Sequence, residues 1–238
     1  MAKERLDRLV SIGIGCPRSQ ARRLVLKGAV SVNETVCKSP DLRFDADDHR
    51  FSCEGRSFIP LLNLYLMMNK PLGIVSSTKD PQSTTVLDLL PEKFQRPKLF
   101  PAGRLDKYSE GLMIITDDGD FAHRMLSPKH HVPKAYAVEV DAPVVEEHLT
   151  EVFAKGAYLG GGQTASPAQL QILSPTSAIV TIREGLYHQV RRMFDQNGAH
   201  VTRLVRVAIG NLSLDPDLKP GYTKLLTENE KQLIFSAE

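Results

Sequence analysis

Net charge is nearly absent from this sequence: 30 Lys or Arg stand against 28 Asp or Glu in 238 residues, a formal balance of +2. Overall charge therefore argues for no nucleic-acid partner, and only its distribution can do so. Cysteine is scarce as well. Cys16, Cys37 and Cys53 are odd in number and widely spaced, with no C-x-x-C pair, which excludes a zinc knuckle or redox dithiol and suits a reducing compartment. No apolar run approaches the roughly 20 residues of a membrane span. Lys3, Arg5 and Asp7 interrupt any leader-like apolar core at the start, so a soluble cytoplasmic protein is expected. Missing G-x-G-x-x-G and G-x-x-x-x-G-K-[ST] loops remove the handle for dinucleotide or nucleoside-triphosphate chemistry.

What is present is enough apolar material, 42% of residues, to bury a sizeable core in one large domain or two smaller ones. The positive excess lies at the front: residues 1–28 hold 7 basic side chains against 2 acidic ones. Leu6, Leu9 and Val10 recur at helical spacing, and a second helix beginning near Pro17 carries Ala21, Leu24 and Val25 on one face and Arg18, Arg22 and Arg23 on another. That basic face suits phosphates, though an ordinary solvated face would look the same by charge alone. Gly28 ends the helix, and residues 29–37 read as a hairpin turning at Asn33-Glu34. A boundary is expected where the polar run Asp45 to Gly55 gives way to Pro60 and the apolar strand Leu64 to Met68, dividing the chain into residues 1–59 and 60–238. Beyond it, strands at 112–116, 135–140, 178–182 and 201–207 and helices at 121–126, 144–155 and 188–197 give an α+β order without regular β-α-β alternation. Thr227 and Glu230 fit a capping box opening a last short helix.

Chemistry-bearing residues concentrate in Pro101-Ala102-Gly103-Arg104-Leu105-Asp106-Lys107-Tyr108-Ser109-Glu110-Gly111-Leu112, which runs into the apolar strand. An Asp in a glycine-bounded loop held by a rigid strand is displayed as catalytic groups commonly are. Taken alone, Asp106 reads more readily as a turn or capping residue. Tyr136 shares a strand face with Val138 and Val140 and by itself reads as core. In the 188–197 helix, Val190, Met193 and Phe194 form the inward stripe, His188, Arg192 and Asp195 lie opposite, and Arg191 sits at the border. Arg191 alone is an ordinary basic residue of a surface helix.

Read together, G-R-L-D-x-x-[ST]-x-G-L, the strand after it and Asp117-Asp118-Gly119 resemble the central motif of the RsuA-type pseudouridine synthases. The resemblance continues through Met68-Asn69-Lys70-Pro71-x-Gly73, Leu126-Ser127-Pro128-Lys129-His130-His131, Lys134-Ala135-Tyr136 and Glu184-Gly185-Leu186-Tyr187-His188-Gln189-Val190-Arg191-Arg192-Met193-Phe194. Residues 1–59 resemble the alpha-L RNA-binding module through Arg5-Leu6-Asp7, Arg18-Ser19, Arg22, Lys27-Gly28, Val30 and Val32-Asn33. The implied fold is that small module followed by a mixed, mainly antiparallel β-sheet catalytic domain with flanking helices.

The resemblance implies Asp106 as nucleophile, Arg191 as the guanidinium paired with it to keep it ionised, and Tyr136 as an aromatic face stacking on uracil. Substrate contacts are expected from Arg104, His188, Gln189 and Arg192, and RNA contacts from Arg5, Arg18, Arg22, Arg23 and Lys27. Ser109 stands where the family commonly has Thr, and Leu186 where a basic residue is frequent, so no RNA contact is assigned to Leu186. Isomerisation oxidises and hydrolyses nothing; no metal and no organic cofactor is expected. The expected partner of a monomeric enzyme is ribosomal RNA or a pre-ribosomal particle, with the target a uridine of the small-subunit RNA. A large-subunit target is the runner-up within the class. A non-catalytic RNA-binding or ribosome-assembly factor is the competing class, and a metal-dependent nuclease a third. A pure binder has no use for an acidic residue in an RNA-facing loop, which is what separates the readings.

Overall fold

A computed structural model of the chain describes residues 3–46, 48–144 and 146–236. The chain divides into two compact units, Met1–Asn63 and Leu64–Glu238.

The first unit runs β1 (Glu4–Arg5), α1 (Leu6–Ile14), α2 (Arg18–Leu26), β2 (Val30–Val32), β3 (Thr35–Cys37), β4 (Arg43–Phe44), β5 (Phe51–Cys53) and β6 (Arg56–Phe58). Leu6, Leu9 and Val10 of α1 and Ala21 and Val25 of α2 are buried in one core with Val30, Val32, Phe51 and Cys53. The apolar stripes read from helical spacing are thus the packing faces. Asn33 and Glu34 both take positive φ, 47° and 67°, the geometry that matches a two-residue hairpin turn to the twist of its strands. A second hairpin, β5–β6, begins inside the stretch read from sequence as a polar run and ends just past it: Phe51 and Cys53 alternate into the core while the charged Arg50 and Glu54 beside them are exposed. All three cysteines are free thiols.

The second unit contains β7 (Tyr65–Lys70), β8 (Phe100–Ala102), β9 (Glu110–Thr116), α3 (Gly119–Leu126), β10 (Lys134–Val140), α4 (Glu146–Lys155), β11 (Tyr158–Gly160), β12 (Gln163–Thr164), β13 (Gln169–Ser174), β14 (Ser177–Ile182), α5 (Gln189–Asp195), β15 (Val201–Ile209), β16 (Leu212–Ser213), β17 (Thr223–Leu225) and α6 (Glu228–Leu233). Val145, in the helix expected over 144–155, lies outside the described residues. One mixed sheet runs β13-β14-β10-β15-β9-β7-β17, with β16 on β15 and β8 on β9. Its pairings are antiparallel except that of β15 with β9, which rests on two parallel residue pairs, Val205–Glu110 and Arg206–Gly111. The fold is the α+β arrangement expected.

Successive residues of the central strands serve opposite cores. Leu66, Met68, Met113 and Ile115 pack with α4 (Leu149, Phe153) and α5 (Val190, Met193, Phe194), whereas Met67, Leu112 and Ile114 pack with α3 (Ala122, Met125) and Ile234. A strand covered on both faces reads as a continuous apolar run, which is why β7 and β9 stand out in the sequence. Asp118 caps α3, its Oδ1 accepting Asp120 N–H and Phe121 N–H at 3.0 Å each. Asp117 accepts Leu64 N–H at 2.8 Å and pairs with Arg96, and Thr227 and Glu230 form the capping box of α6. Among the described residues no helix is long and apolar enough to cross a membrane.

Candidate active site

The loop between β8 and β9 carries Asp106, and its main chain is held at every carbonyl from Leu105 to Ser109. Ser76 Oγ donates to Leu105 O at 2.6 Å and accepts Leu105 N–H at 3.0 Å. Asp106 O accepts Ser109 N–H at 3.0 Å, and Lys107 O accepts Gly73 N–H at 2.8 Å. Tyr108 O accepts from the Arg191 guanidinium at 2.7 Å, and Ser109 O from the Lys70 ammonium at 2.7 Å. Gly103 and Gly111, at φ 95° and 101°, bound the loop in conformations that side chains rarely adopt. Five acceptors fixed by five different groups leave the Asp106 backbone little freedom, which is how a reactive side chain is kept in one place.

Asp106 lines a cavity of about 300 Å³ together with Arg104, Leu105, Ser109, Tyr136 and residues of the 185–190 turn, among them His188 and Gln189. His188 Nε2 lies 3.6 Å from Asp106 Oδ2, with both side chains about two-fifths exposed. His188 itself takes a left-handed backbone, φ 48°, at the start of α5. Tyr136, 8% exposed, sits in β10 between Val180 of β14 and Arg206 of β15. Arg104 is exposed and forms no ion pair among the described residues. Ser109 also lines the cavity, and its Oγ is buried with no hydrogen-bond partner among the described residues.

Three of the expected site residues bond to protein groups. Arg191 does not pair with Asp106: its guanidinium donates to Val201 O at 2.8 Å and to Tyr108 O, so from the border of α5 it reaches the loop's backbone and leaves His188 as the carboxylate's neighbour. Gln189 is buried, and both ends of its amide serve the protein: Oε1 accepts Leu186 N–H at 2.9 Å and Nε2 donates to Glu184 at 2.8 Å. Arg192 donates to Leu159 O, Gly160 O, Gln163 Oε1 and Tyr187 O, tying α5 to the β11–β12 hairpin.

Sequence reading passed over Lys70. It is completely buried, donating to Pro71 O and Ser109 O, and burial pulls its ammonium down to about 8 although Asp106 and Glu110 hold it up. A lysine closing a strand that opens with the apolar run Tyr65 to Met68 was the available signal. Arg206, also buried, donates to Leu112 O at 2.7 Å, three residues beyond the loop. Among the described residues no group of three His, Cys, Asp or Glu side chains could hold a metal ion.

In the first unit the expected RNA-contacting residues separate into two sets. Arg5 and Arg18 bond the buried carboxylate of Asp7 at 2.8 and 2.9 Å, Arg22 lies 3.8 Å from it, and Arg5 and Arg22 also pair with Asp41. Burial alone would raise the Asp7 carboxyl, but the bonds from Arg5 and Arg18 overcome it and hold it at about 2. Arg23 and Lys27 are exposed on α2 and just after it, with no ion-pair partner among the described residues.

Residues 64–196 match the family model for RNA pseudouridylate synthase, and residues 4–49 match the S4 domain. The ribosomal small subunit pseudouridine synthase A of Escherichia coli is 40% identical over 231 residues, covering 95% of this chain and 97% of that protein. An uncharacterized RNA pseudouridine synthase, YtzG, of Bacillus subtilis is 39% identical over 97% of this chain and 98% of its own length. A crystal structure of a pseudouridylate synthase superposes with a TM-score of 0.66 at 35% identity, covering 97% of this chain and 99% of the other. With a glycine-bounded Asp loop, an aromatic-lined cavity and an S4 domain ahead of them, the chain belongs to the RNA pseudouridylate synthase family.

Proposed function

We propose that the protein isomerises a uridine of small-subunit ribosomal RNA to pseudouridine, with the Asp106 carboxylate as nucleophile. The observation that carries this reading is the clamped loop presenting Asp106 to a cavity with Tyr136 and His188. In the reaction the N1–C1′ bond of uridine breaks, the uracil turns while held, and a C5–C1′ bond forms. C5 loses a proton and N1 gains one, so no oxidant, reductant or water is consumed. A carboxylate that bonds transiently to the substrate can serve this chemistry without metal or organic cofactor.

Tyr136 stacks on the uracil, a use for an aromatic ring at a cavity wall. Arg104, exposed at the same cavity, contacts the backbone or base of the target nucleotide. Arg191 acts behind the nucleophile by fixing its loop. Extruding a base costs a few kcal/mol, and residues 1–59 supply part of the offset as a tether, with Arg23 and Lys27 its free cations and residues 60–238 forming the catalytic domain. The small-subunit target rests on the Escherichia coli relative; we infer a monomer working in the cytoplasm on naked RNA or a pre-ribosomal particle.

The test is release of tritium from C5 of uridine-labelled small-subunit RNA. Wild type releases it, and Asp106→Asn abolishes release while its RNA affinity stays within about tenfold, since phosphate contacts lie elsewhere. Turnover by Asp106→Asn would reject the nucleophile, and release from large-subunit RNA alone would move the target.

A further inference from the structure

Tyr187 is an exposed aromatic at the mouth of the Asp106 cavity. It is 76% exposed yet lines that cavity. One face of its ring is stacked on His188, centroids 3.9 Å apart and planes 14° from parallel, and His188 in turn stands beside Asp106. Its carbonyl accepts from Arg192 at 3.2 Å, and Arg192 is itself anchored to the β11–β12 hairpin. A tyrosine left in water with a fixed backbone and one covered face presents the opposite face as a rigid, unoccupied π surface, at small entropic cost when something lands on it. We propose that this outer face of Tyr187 is a second base-binding site, which stacks the nucleobase next to the extruded uridine.

Extrusion removes a stacking partner from the neighbouring base. A ring at the mouth, in series with His188 and Asp106, offers a replacement where the strand leaves the cavity, and base–aromatic stacking tolerates any base because every base has a π face. The site is distinct from Tyr136, which is buried within the sheet and lines the cavity proper. The proposal rests on the reading of that cavity as the uridine site.

The experiment measures kcat and KM by tritium release from small-subunit RNA for wild type, Tyr187→Ala and Tyr187→Phe, with filter binding of the same RNA alongside. Tyr187→Ala should raise KM and weaken affinity by about tenfold, the loss expected for one stacked base, and Tyr187→Phe should stay within about twofold of wild type. Once the modified uridine is mapped, an abasic residue beside it should cost wild type a similar factor and Tyr187→Ala nothing more. Unchanged KM and affinity in Tyr187→Ala overturn the site, as does an equal loss in Tyr187→Phe. A loss confined to kcat would mean that Tyr187 acts only by backing His188. Failure of wild type to release tritium would instead strike the uridine assignment, and the filter-binding comparison would still decide whether Tyr187 stacks RNA.

Discussion

The two units differ in how they use the arginines singled out from the sequence, although the second unit also pairs Arg96 with Asp117 and Arg203 with Glu110 and Glu139. In the first, Arg5, Arg18 and Arg22 gather on carboxylates, with Asp7 buried at the centre and Asp41 at the edge. In the second, Arg191, Arg192 and Arg206 are turned mainly onto main-chain carbonyls, and Lys70 joins them. A guanidinium on a carboxylate neutralises charge and packs two helices together. One on a carbonyl fixes backbone geometry, because its planar fork accepts few orientations. Counting basic residues therefore overstates the RNA-facing charge of both units: the cations free for phosphate are those left over, such as Arg23, Lys27 and Arg104.

The sharpest break of this comparison comes at Arg191. Replacing it with Met should lower kcat about 100-fold with a much smaller change in KM, since a nucleophile displaced by about 1 Å costs that order of rate. Tritium release at saturating RNA measures it, and an unimpaired Arg191→Met enzyme would show that the loop holds itself. Next in size is Asp7. Its carboxyl is depressed in the folded module, so its stabilisation is complete above the ordinary value near 3.8 and disappears as pH falls from there toward 2. That contribution is about 2 kcal/mol. Hydrogen exchange in α1 and α2 of the full chain should lose protection across that window, and Asp7→Asn should show the loss already at pH 6. Protection in Asp7→Asn equal to wild type at pH 6 would make the cluster ornamental. The smallest effect is expected from Arg23→Gln with Lys27→Gln, which should weaken RNA binding several-fold and reduce its salt slope by about 2; a salt titration with an unchanged slope would remove α2 from the RNA surface.

The sequence made legible what periodicity or motif could carry. Both-face burial gave β7 and β9 their apolar runs, and the helical stripes of α1, α2 and α5 fall on the faces that pack. Short strands escaped notice: β5 and β6 have three residues each among polar neighbours, and the β11–β12 hairpin is built on Gly160, Gly161 and Gly162, which carry no pattern. At the site, motif resemblance brought Asp106, Tyr136, His188 and Arg104 to one cavity's lining. It did not reveal what Arg191, Arg192 and Gln189 would touch. Residue type tells which bonds a side chain can make, whereas several partners are brought near only by the fold, as Leu159 is to Arg192 and Tyr108 to Arg191.

Gly111 lies where the two antiparallel halves of the large sheet meet, and a methyl group built there would come within 2.3 Å of the Arg206 carbonyl oxygen. An alanine would do more than crowd its neighbours: it would wedge the halves apart along their shared edge. Asp106 springs from one half and Tyr136 from the other, so the width of the cavity between them is a dimension gauged by a missing side chain.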